Sequence, residues 1–186
     1  MIVLVGETAS GKSTVEKLLA GYGYKPIVSY TTRPMRDYEV NGRDYHFIDN
    51  DEFSKMKLRG EFLETSVFKE SWWYGSLKGD YVTNSVAVLN PHGLRQFNNY
   101  MRYNLKGIQH STHYIRTTER TRLKRLADRG DNLMEVYRRL CSDQGMFVGI
   151  EDDVNQVIEA EQLTPKEVAE AVIVYHKKIH RTGYCI

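Results

Sequence analysis

The chain is poor in cysteine, in long apolar runs and in net charge of either sign. Its 186 residues include only Cys141 and Cys185, whose number and spacing suggest neither a disulfide framework nor a metal knuckle. No apolar stretch approaches the roughly 18 residues of a membrane span, and no basic leader opens the sequence. Twenty-six basic and 24 acidic residues leave a net charge of +2. We therefore expect a cytoplasmic protein with reduced thiols that binds neither nucleic acid nor membrane, of undetermined oligomeric state.

Apolar runs alternate with helical patterns along the chain. Buried strands are predicted at residues 2–5 and 86–89, in a run ending at Ile115, and at 156–160. A helix is expected near residues 94–101. A capping box at residues 164–167 opens a closing helix expected to bury Val168, Val172 and Tyr175. This alternation favours an α/β fold with a parallel core sheet and helices on both faces.

We predict a single domain over residues 1–186 with two additions to its core. The core comprises residues 1–28, 80–118 and 155–186. A polar, turn-rich segment at about 29–79, with a short helix at 51–59 and strands at 62–67 and 72–77, is predicted to be a ligand-binding insertion. A basic helical hairpin at about 119–154 is expected to lie outside the core as a mobile lid.

A phosphate-binding loop is predicted between the first strand and the first helix. Residues 6–13 read GETASGKS and match GxxxxGK[ST] in the context that gives this motif its meaning. Backbone N–H groups of such a loop surround phosphate oxygens at a helix N-terminus. Lys12 is expected to span the β- and γ-phosphates and Ser13 to ligate Mg²⁺. The predicted ATP-binding residues are Gly6, Thr8, Ala9, Ser10, Gly11, Lys12, Ser13 and Thr14.

GTPases, ATPases and kinases share such a loop, so other segments of the sequence are needed to distinguish these classes. These segments read SYTTRPMR at 29–36, EVNGRDYHF at 39–47, GEFLE at 60–64 and YGS at 74–76. Together with the loop, they resemble the guanylate kinase family over roughly residues 1–80. The resemblance implies a P-loop kinase fold with a GMP-binding insertion and a mobile lid. It also implies an enzyme of purine nucleotide metabolism that transfers the γ-phosphoryl group of ATP to GMP or dGMP, with Mg²⁺ as cofactor.

The resemblance assigns seven residues of the insertion to the acceptor. Two arginines three positions apart offer forked donors to a phosphate dianion, and tyrosine hydroxyls add neutral donors. A carboxylate can accept from guanine N1–H and N2–H₂ together, a pair that adenine lacks, so Glu64 is the expected base reader. The implied phosphate ligands are Arg33, Arg36, Tyr45 and Tyr74, and the implied guanine ligands are Ser29, Glu64 and Ser76.

The basic hairpin resembles the family's lid. The implied catalytic residues are Lys12 and three lid arginines, Arg125, Arg129 and Arg139, with one residue fewer between the second and third arginine than in the family. Mobile arginines that close over the site stabilise the charge of phosphoryl transfer and exclude water. The neighbouring Arg138 fits a solvated helix face.

The chain departs from the family pattern at several positions. Thr8 and Ala9 stand where the family usually has a serine and a further glycine. Val88 and Asn90 replace an Asp-x-Asp pattern, so only an amide oxygen is offered to the water shell of the metal. The family's asparagine near the adenine corresponds to Ala160.

Two alternatives therefore stay open. One is a guanylate-kinase-like binding module without catalysis, against which the intact Lys12 and Ser13 argue. The other is a phage-type (deoxy)nucleoside monophosphate kinase of different base preference. A GTPase switch would need an Asn-Lys-x-Asp motif, and the sequence has none.

Overall fold

The computed structural model describes residues 1–68, 71–104, 108–130 and 132–181. Within these ranges, strands and helices alternate through most of the chain. In chain order they are β1 (Ile2–Val5), α1 (Lys12–Gly21), β2 (Lys25–Pro26), β3 (Tyr30–Thr31), β4 (His46–Phe47), α2 (Asn50–Leu58), β5 (Phe62–Phe68), β6 (Trp72–Leu77), β7 (Ser85–Val88), α3 (Pro91–Asn104), β8 (Ser111–Arg116), α4 (Glu119–Asp128), α5 (Leu133–Asp143), β9 (Gln156–Glu159) and α6 (Pro165–Arg181).

The core is a parallel sheet with strand order β2-β7-β1-β8-β9. Successive side chains of a strand point to opposite faces. Ile2 and Leu4 of β1 pack in the cluster formed with α1 and α6, whereas Val3 and Val5 pack in the cluster formed with α3. A strand buried on both faces is apolar throughout, which explains the unbroken run at residues 2–5. The predicted α/β fold with helices on both faces of a parallel sheet is confirmed.

A second, smaller sheet has the order β4-β3-β6-β5, with β5 and β6 paired as an antiparallel hairpin. The sheet packs on α2 through an aromatic contact, with the rings of Phe53 and Phe62 stacked at 4.5 Å. Gln96 of α3 ties the hairpin to the core, because its amide donates to Thr65 O at 2.7 Å and accepts from Thr65 N at 3.1 Å. The sheet is therefore held against the core and does not extend into solvent alone.

The sequence pattern does not predict the strands β2, β3 and β4. Each contains two residues, too few to show a period. Pro26 is accommodated in β2 because this strand lies at the edge of the core sheet. Helix α3 begins at Pro91, three residues before the predicted start, because Asn90 caps it. The Asn90 Oδ1 atom accepts a hydrogen bond from Gly93 N at 2.8 Å.

Two expectations about burial are wrong. The hairpin does not lie wholly outside the core, because Leu126 of α4 is fully buried. Helix α6 buries Val168 and Val172, but Tyr175 is only partly buried. The Tyr175 hydroxyl donates to Asn155 O at 2.8 Å, which keeps this end of the side chain near the surface.

The structure bears on the expected absence of a membrane span and on the two cysteines. Within the described ranges, no helix is both long and apolar enough to cross a membrane. Cys141 is exposed. Cys185 lies outside the described residues.

Three histidines join α6 to the core sheet. The Ser111 Oγ atom lies 2.7 Å from both His113 Nε2 and His176 Nδ1, and His180 Nε2 lies 3.1 Å from His176 Nδ1. Burial lowers the pKa of His113 to about 4 and that of His176 to about 3, because the interior disfavours the charged imidazolium. Both rings are therefore neutral at pH 7.

We expect the free energy of unfolding to decrease as the pH falls from 6.5 toward 4. Unfolded histidine takes up its proton near pH 6.5, whereas folded His113 stays neutral until about pH 4, so the unfolded state binds more protons across this window. Such a group contributes a slope of about 1.4 kcal/mol per pH unit. Urea titrations of the wild type and His113→Gln at pH 7, 6 and 5 measure this slope. The exposed His92→Gln is the control, and a wild-type slope in His113→Gln would contradict the expectation.

Candidate nucleotide site

The phosphate-binding loop connects β1 to α1 at the carboxyl end of the core sheet. Gly6 leaves β1 where a Cβ atom would lie 2.7 Å from Ile115 O and 2.5 Å from Ser10 Oγ, so only glycine fits. Ala9 and Gly11 have φ angles of 63° and 109°. These left-handed turns curl the chain into the N-terminus of α1, where unpaired N–H groups and the helix dipole favour an anion.

Lys12 folds back onto its own loop. Its Nζ donates to Gly6 O at 2.5 Å and to Glu7 O at 2.8 Å. Burial lowers the pKa of Lys12 to about 8, against the opposing effect of the Asp143 and Glu7 carboxylates. The ammonium group is thus mostly charged at pH 7 and is bonded to loop carbonyls.

A cavity of about 370 Å³ opens beside the loop. Its volume is in the range of small-molecule sites. Arg125 lines it and donates from Nη1 to Ala9 O at 3.1 Å and Ser10 O at 2.9 Å, which fastens α4 to the loop. The cavity walls include residues 9–15, which form the end of the loop and the start of α1, together with Arg125, Asp128, Arg129, Ala160, Leu163 and Pro165.

Arg33 and Arg36 of the insertion are held by one carboxylate. Glu39 Oε1 accepts from Arg33 Nη2 at 2.7 Å, and its Oε2 accepts from Arg36 N at 2.8 Å. The side chains of Arg33 and Glu39 are each only 6% exposed. The Arg33 guanidinium lies 5.6 Å from the centre of the Tyr45 ring, and that ring meets Tyr74 edge to face at 5.9 Å. The structure therefore brings all four predicted phosphate ligands together.

The three predicted guanine ligands form a hydrogen-bonded chain. Ser29 Oγ lies 2.8 Å from Ser76 Oγ, which donates to Glu64 Oε1 at 2.9 Å. Glu64 is 5% exposed, and burial raises its pKa to about 7. Gly93 of α3 lies against this carboxylate, because a Cβ atom there would be 2.9 Å from Glu64 Oε2.

Helix α5 touches both the insertion and the phosphate loop. The Arg138 guanidinium lies over Phe68 at 4.5 Å and over Trp72 at 5.6 Å, both in the β5–β6 hairpin. Asp143, the last residue of α5, accepts from Thr8 N at 2.7 Å. The hairpin of α4 and α5 thus bridges the two predicted substrate regions.

The predicted lid arginines occupy two different places. Arg125 and Arg129 line the cavity beside the phosphate loop. Arg139 lies on α5, partly buried, and is not among the cavity walls. Arg138, expected on a solvated face, is instead the residue that packs against the insertion.

The sequence pattern does not predict four residues of the site. Glu39 had a usable signal, because a glutamate three residues after Arg36 can reach back to it within one turn. Asp143 and Arg122 gave no signal in the sequence, because their pairing depends on how α4 and α5 fold together. In the structure, Arg122 Nη1 lies 3.6 Å from Asp143 Oδ2. Arg138 could not be told from a solvated arginine without its aromatic partners.

Known proteins resemble this chain in sequence over its N-terminal part and in fold over most of its length. Residues 1–84 match the family model of guanylate kinase. A guanylate kinase of Rhodopirellula baltica is 37% identical over 91 residues, 47% of this chain and 44% of the relative. That of Bifidobacterium longum is 48% identical over 79 residues, 41% of this chain and 40% of the relative. The crystal structure of guanylate kinase from Anaplasma phagocytophilum matches with a TM-score of 0.68 at 22% identity, over 96% of this chain and 84% of that chain.

The N-terminal part of the chain is therefore similar in sequence to guanylate kinases. In each of the two curated matches the chain spans less than half of the relative's length. The likeness to the solved structure extends over nearly the whole chain and shows the fold.

We expect Glu39→Gln to lower the free energy of unfolding by about 2 kcal/mol, the range for a lost hydrogen bond to a charged group. The substitution keeps the shape but removes the charge that compensates the buried Arg33. Urea titration measures the change, with Glu61→Gln in the exposed pair with Arg59 as control. Equal stabilities of the two variants would show that Glu39 does not hold Arg33 and Arg36 in place.

Proposed function

We propose that the chain phosphorylates GMP or dGMP with ATP, by direct Mg²⁺-assisted transfer of the γ-phosphoryl group. The observation that carries this proposal is the hydrogen-bonded chain from Ser29 through Ser76 to the buried Glu64. Arg33 and Arg36 lie in the loop that follows β3 of the same small sheet. Such a site offers a carboxylate to a base and guanidinium groups to a phosphate. A purine nucleoside monophosphate whose base carries ring N–H donors fits both the carboxylate and the guanidinium groups.

The donor nucleotide is proposed to bind at the phosphate loop and in the adjoining cavity. Loop N–H groups would receive the phosphates, and Lys12 would exchange its bonds to Gly6 O and Glu7 O for phosphate oxygens. Arg125 and Arg129 line the cavity where charge would develop during transfer. Ala160 lies in the same wall and offers the adenine only an apolar methyl group.

The residues present fit a Mg²⁺ ion that is held mainly by the donor's phosphates. Ser13 presents an exposed hydroxyl directly after Lys12, which suits an ion that keeps several waters. No group of three or more histidine, cysteine or acidic side chains that could hold a metal occurs in the described part of the chain. Asn90 Oδ1 is occupied by its bond from Gly93 N. When bound, Mg²⁺ would neutralise phosphate charge.

The acceptor's phosphate is proposed to bind between Arg33, Arg36, Tyr45 and Tyr74. Glu39 keeps Arg33 in place by a buried ion pair, so less side-chain freedom is lost when the phosphate arrives. Helices α4 and α5, within the proposed lid at about 119–154, would hold donor and acceptor together and exclude water. The cytoplasm is the compartment proposed for this reaction.

One observation keeps a different base preference under test. Asn90 stands where an acidic residue is expected, and its side chain caps α3 beside Glu64. The group beside Glu64 at this position is therefore a neutral amide, where the family pattern has a carboxylate. Turnover measured with nucleoside monophosphates of different bases distinguishes guanine from another base.

A panel of nucleoside monophosphates tests the proposal directly. We expect ATP and Mg²⁺ to support ADP release with GMP and dGMP, and far less with the adenine, cytosine, uracil and thymine nucleotides. Lys12→Ala should abolish turnover yet leave GMP binding by calorimetry nearly unchanged, because Lys12 serves the donor. Best turnover with another base would favour the phage-type alternative. Binding of GMP without turnover in the wild type would favour the binding module.

Glu64→Gln should lower kcat/KM for GMP at least tenfold and change the poor activity with AMP little. The amide must turn a donor toward guanine N1–H or N2–H₂, and a stranded buried donor costs about 1–3 kcal/mol. The matched control is Glu61→Gln, an exposed neighbour in the same segment. A mutant that retains the preference for GMP over AMP would remove Glu64 from the role of base reader.

The same carboxylate should make GMP binding depend on pH. Because burial raises the pKa of Glu64 to about 7, an acceptor-free site at pH 6 holds mostly the acid, which must lose its proton to receive two donors. The KM for GMP should therefore fall as pH rises from 6 to 7.5. Subtracting the profile of Glu64→Gln removes the titration of the substrate's own phosphate.

A further inference from the structure

A carboxylate of this chain occupies a backbone donor of the phosphate loop. Asp143 Oδ2 accepts the N–H of Thr8 at 2.7 Å, across 135 positions of sequence. Thr8 lies at the centre of the motif whose amides receive phosphate in proteins of this fold. The Asp143 carboxylate therefore sits where an anionic oxygen of a bound phosphate would sit.

An arginine whose side chain is mostly buried lies beside this carboxylate and has unused hydrogen-bond donors. Arg122 Nη1 lies 3.6 Å from Asp143 Oδ2, and its side chain is only 11% exposed. Within the described part of the chain, Arg122 Nε and Nη1 have no hydrogen-bond partner. Buried guanidinium donors are normally satisfied, because an unmade bond to a charged group is costly. The Nε and Nη1 atoms of Arg122 can therefore donate hydrogen bonds to an anion that comes closer than Asp143 does.

Arg122 faces the loop together with Arg125. The two residues are three positions apart in α4 and hence on one side of the helix. Arg125 contacts Ala9 O and Ser10 O. Lys12 and Glu7 are the other charged groups that adjoin this corner of the loop. A phosphate oxygen in place of Asp143 Oδ2 would meet Thr8 N and Arg122 at once.

We propose that Arg122 is a further ligand of the donor's phosphates and that the Asp143 carboxylate occupies the position of a phosphate oxygen until the nucleotide binds. The proposal rests on the proposed function, because it assigns the phosphate loop to ATP. Binding would displace Asp143 from Thr8 N and transfer Arg122 from the carboxylate to a phosphate oxygen. Asp143 thus competes with ATP, and the same event releases the end of α5 from the loop.

The test measures binding of inorganic tripolyphosphate, which probes the loop without a nucleoside, and of ATP, both by calorimetry on the full chain. Asp143→Asn removes the competing charge and should bind both ligands at least tenfold more tightly. Arg122→Gln should bind both at least fivefold more weakly. Asp152→Asn, an exposed aspartate with the same charge change, should stay within twofold of the wild type.

Asp143→Asn could unfold because it leaves the charge of Arg122 without its partner. A double variant keeps the test valid in that case. Arg122→Gln/Asp143→Asn removes both charges and should bind tripolyphosphate more tightly than Arg122→Gln alone. Unchanged or weaker affinity on removal of Asp143, together with a lower melting temperature, would make Asp143 a structural tie and overturn the proposal. Unchanged affinity in Arg122→Gln would remove Arg122 as a ligand.

The two proposals fail in different ways. If the wild type binds and turns over ATP but Asp143→Asn gains no affinity, the inference fails and the proposed kinase stands. If Asp143→Asn gains affinity for tripolyphosphate while no nucleoside monophosphate is phosphorylated, the inference stands and the proposed activity fails. If neither ligand binds any variant, both are wrong.

Discussion

Burial of β1 on both faces is the constraint on which the rest of the structure depends. Its four apolar residues supply side chains to both core clusters, so the strand can lie only at the centre of the sheet. The sheet then packs so closely at its carboxyl end that a Cβ atom on Gly6 would meet Ile115 O. The chain must turn there, and the turn is the phosphate loop. The position of the site is thus a consequence of core packing.

Charge compensation is the second theme of the site. A chain with nearly balanced charge gathers several cations where phosphates are proposed to bind, and each group of cations has a resident carboxylate. Glu39 holds Arg33 in the insertion, and Asp143 lies against Arg122 near Lys12. Such pairing limits the repulsion of buried like charges, and it orients the donors. Glu39 could remain in place beside a bound phosphate, whereas Asp143 stands at the position proposed for a phosphate oxygen.

The fold was largely predictable because its signals are local. An apolar run, a glycine-rich loop and a helical period each lie within a few residues. The residues predicted to bind the acceptor also lie within recognisable segments of the insertion. The two-residue strands could not be predicted, since they exist only through pairing with distant partners. The same applies to Asp143, Arg122 and Arg138, whose roles depend on helix α5 reaching the loop and the hairpin. Long-range contacts between charged surface elements leave no period in a sequence.

Asn90 shows how one position can serve the fold and the chemistry separately. Its Oδ1 caps α3 and thereby places Gly93 against Glu64. Aspartate caps a helix as well as asparagine does, so helix stability does not demand the amide. An aspartate here would, however, set a second negative charge beside a glutamate whose pKa is already raised to about 7 by burial, and like charges raise it further. The neutral amide therefore keeps Glu64 able to ionise near neutral pH, as its proposed role in accepting from a guanine base requires.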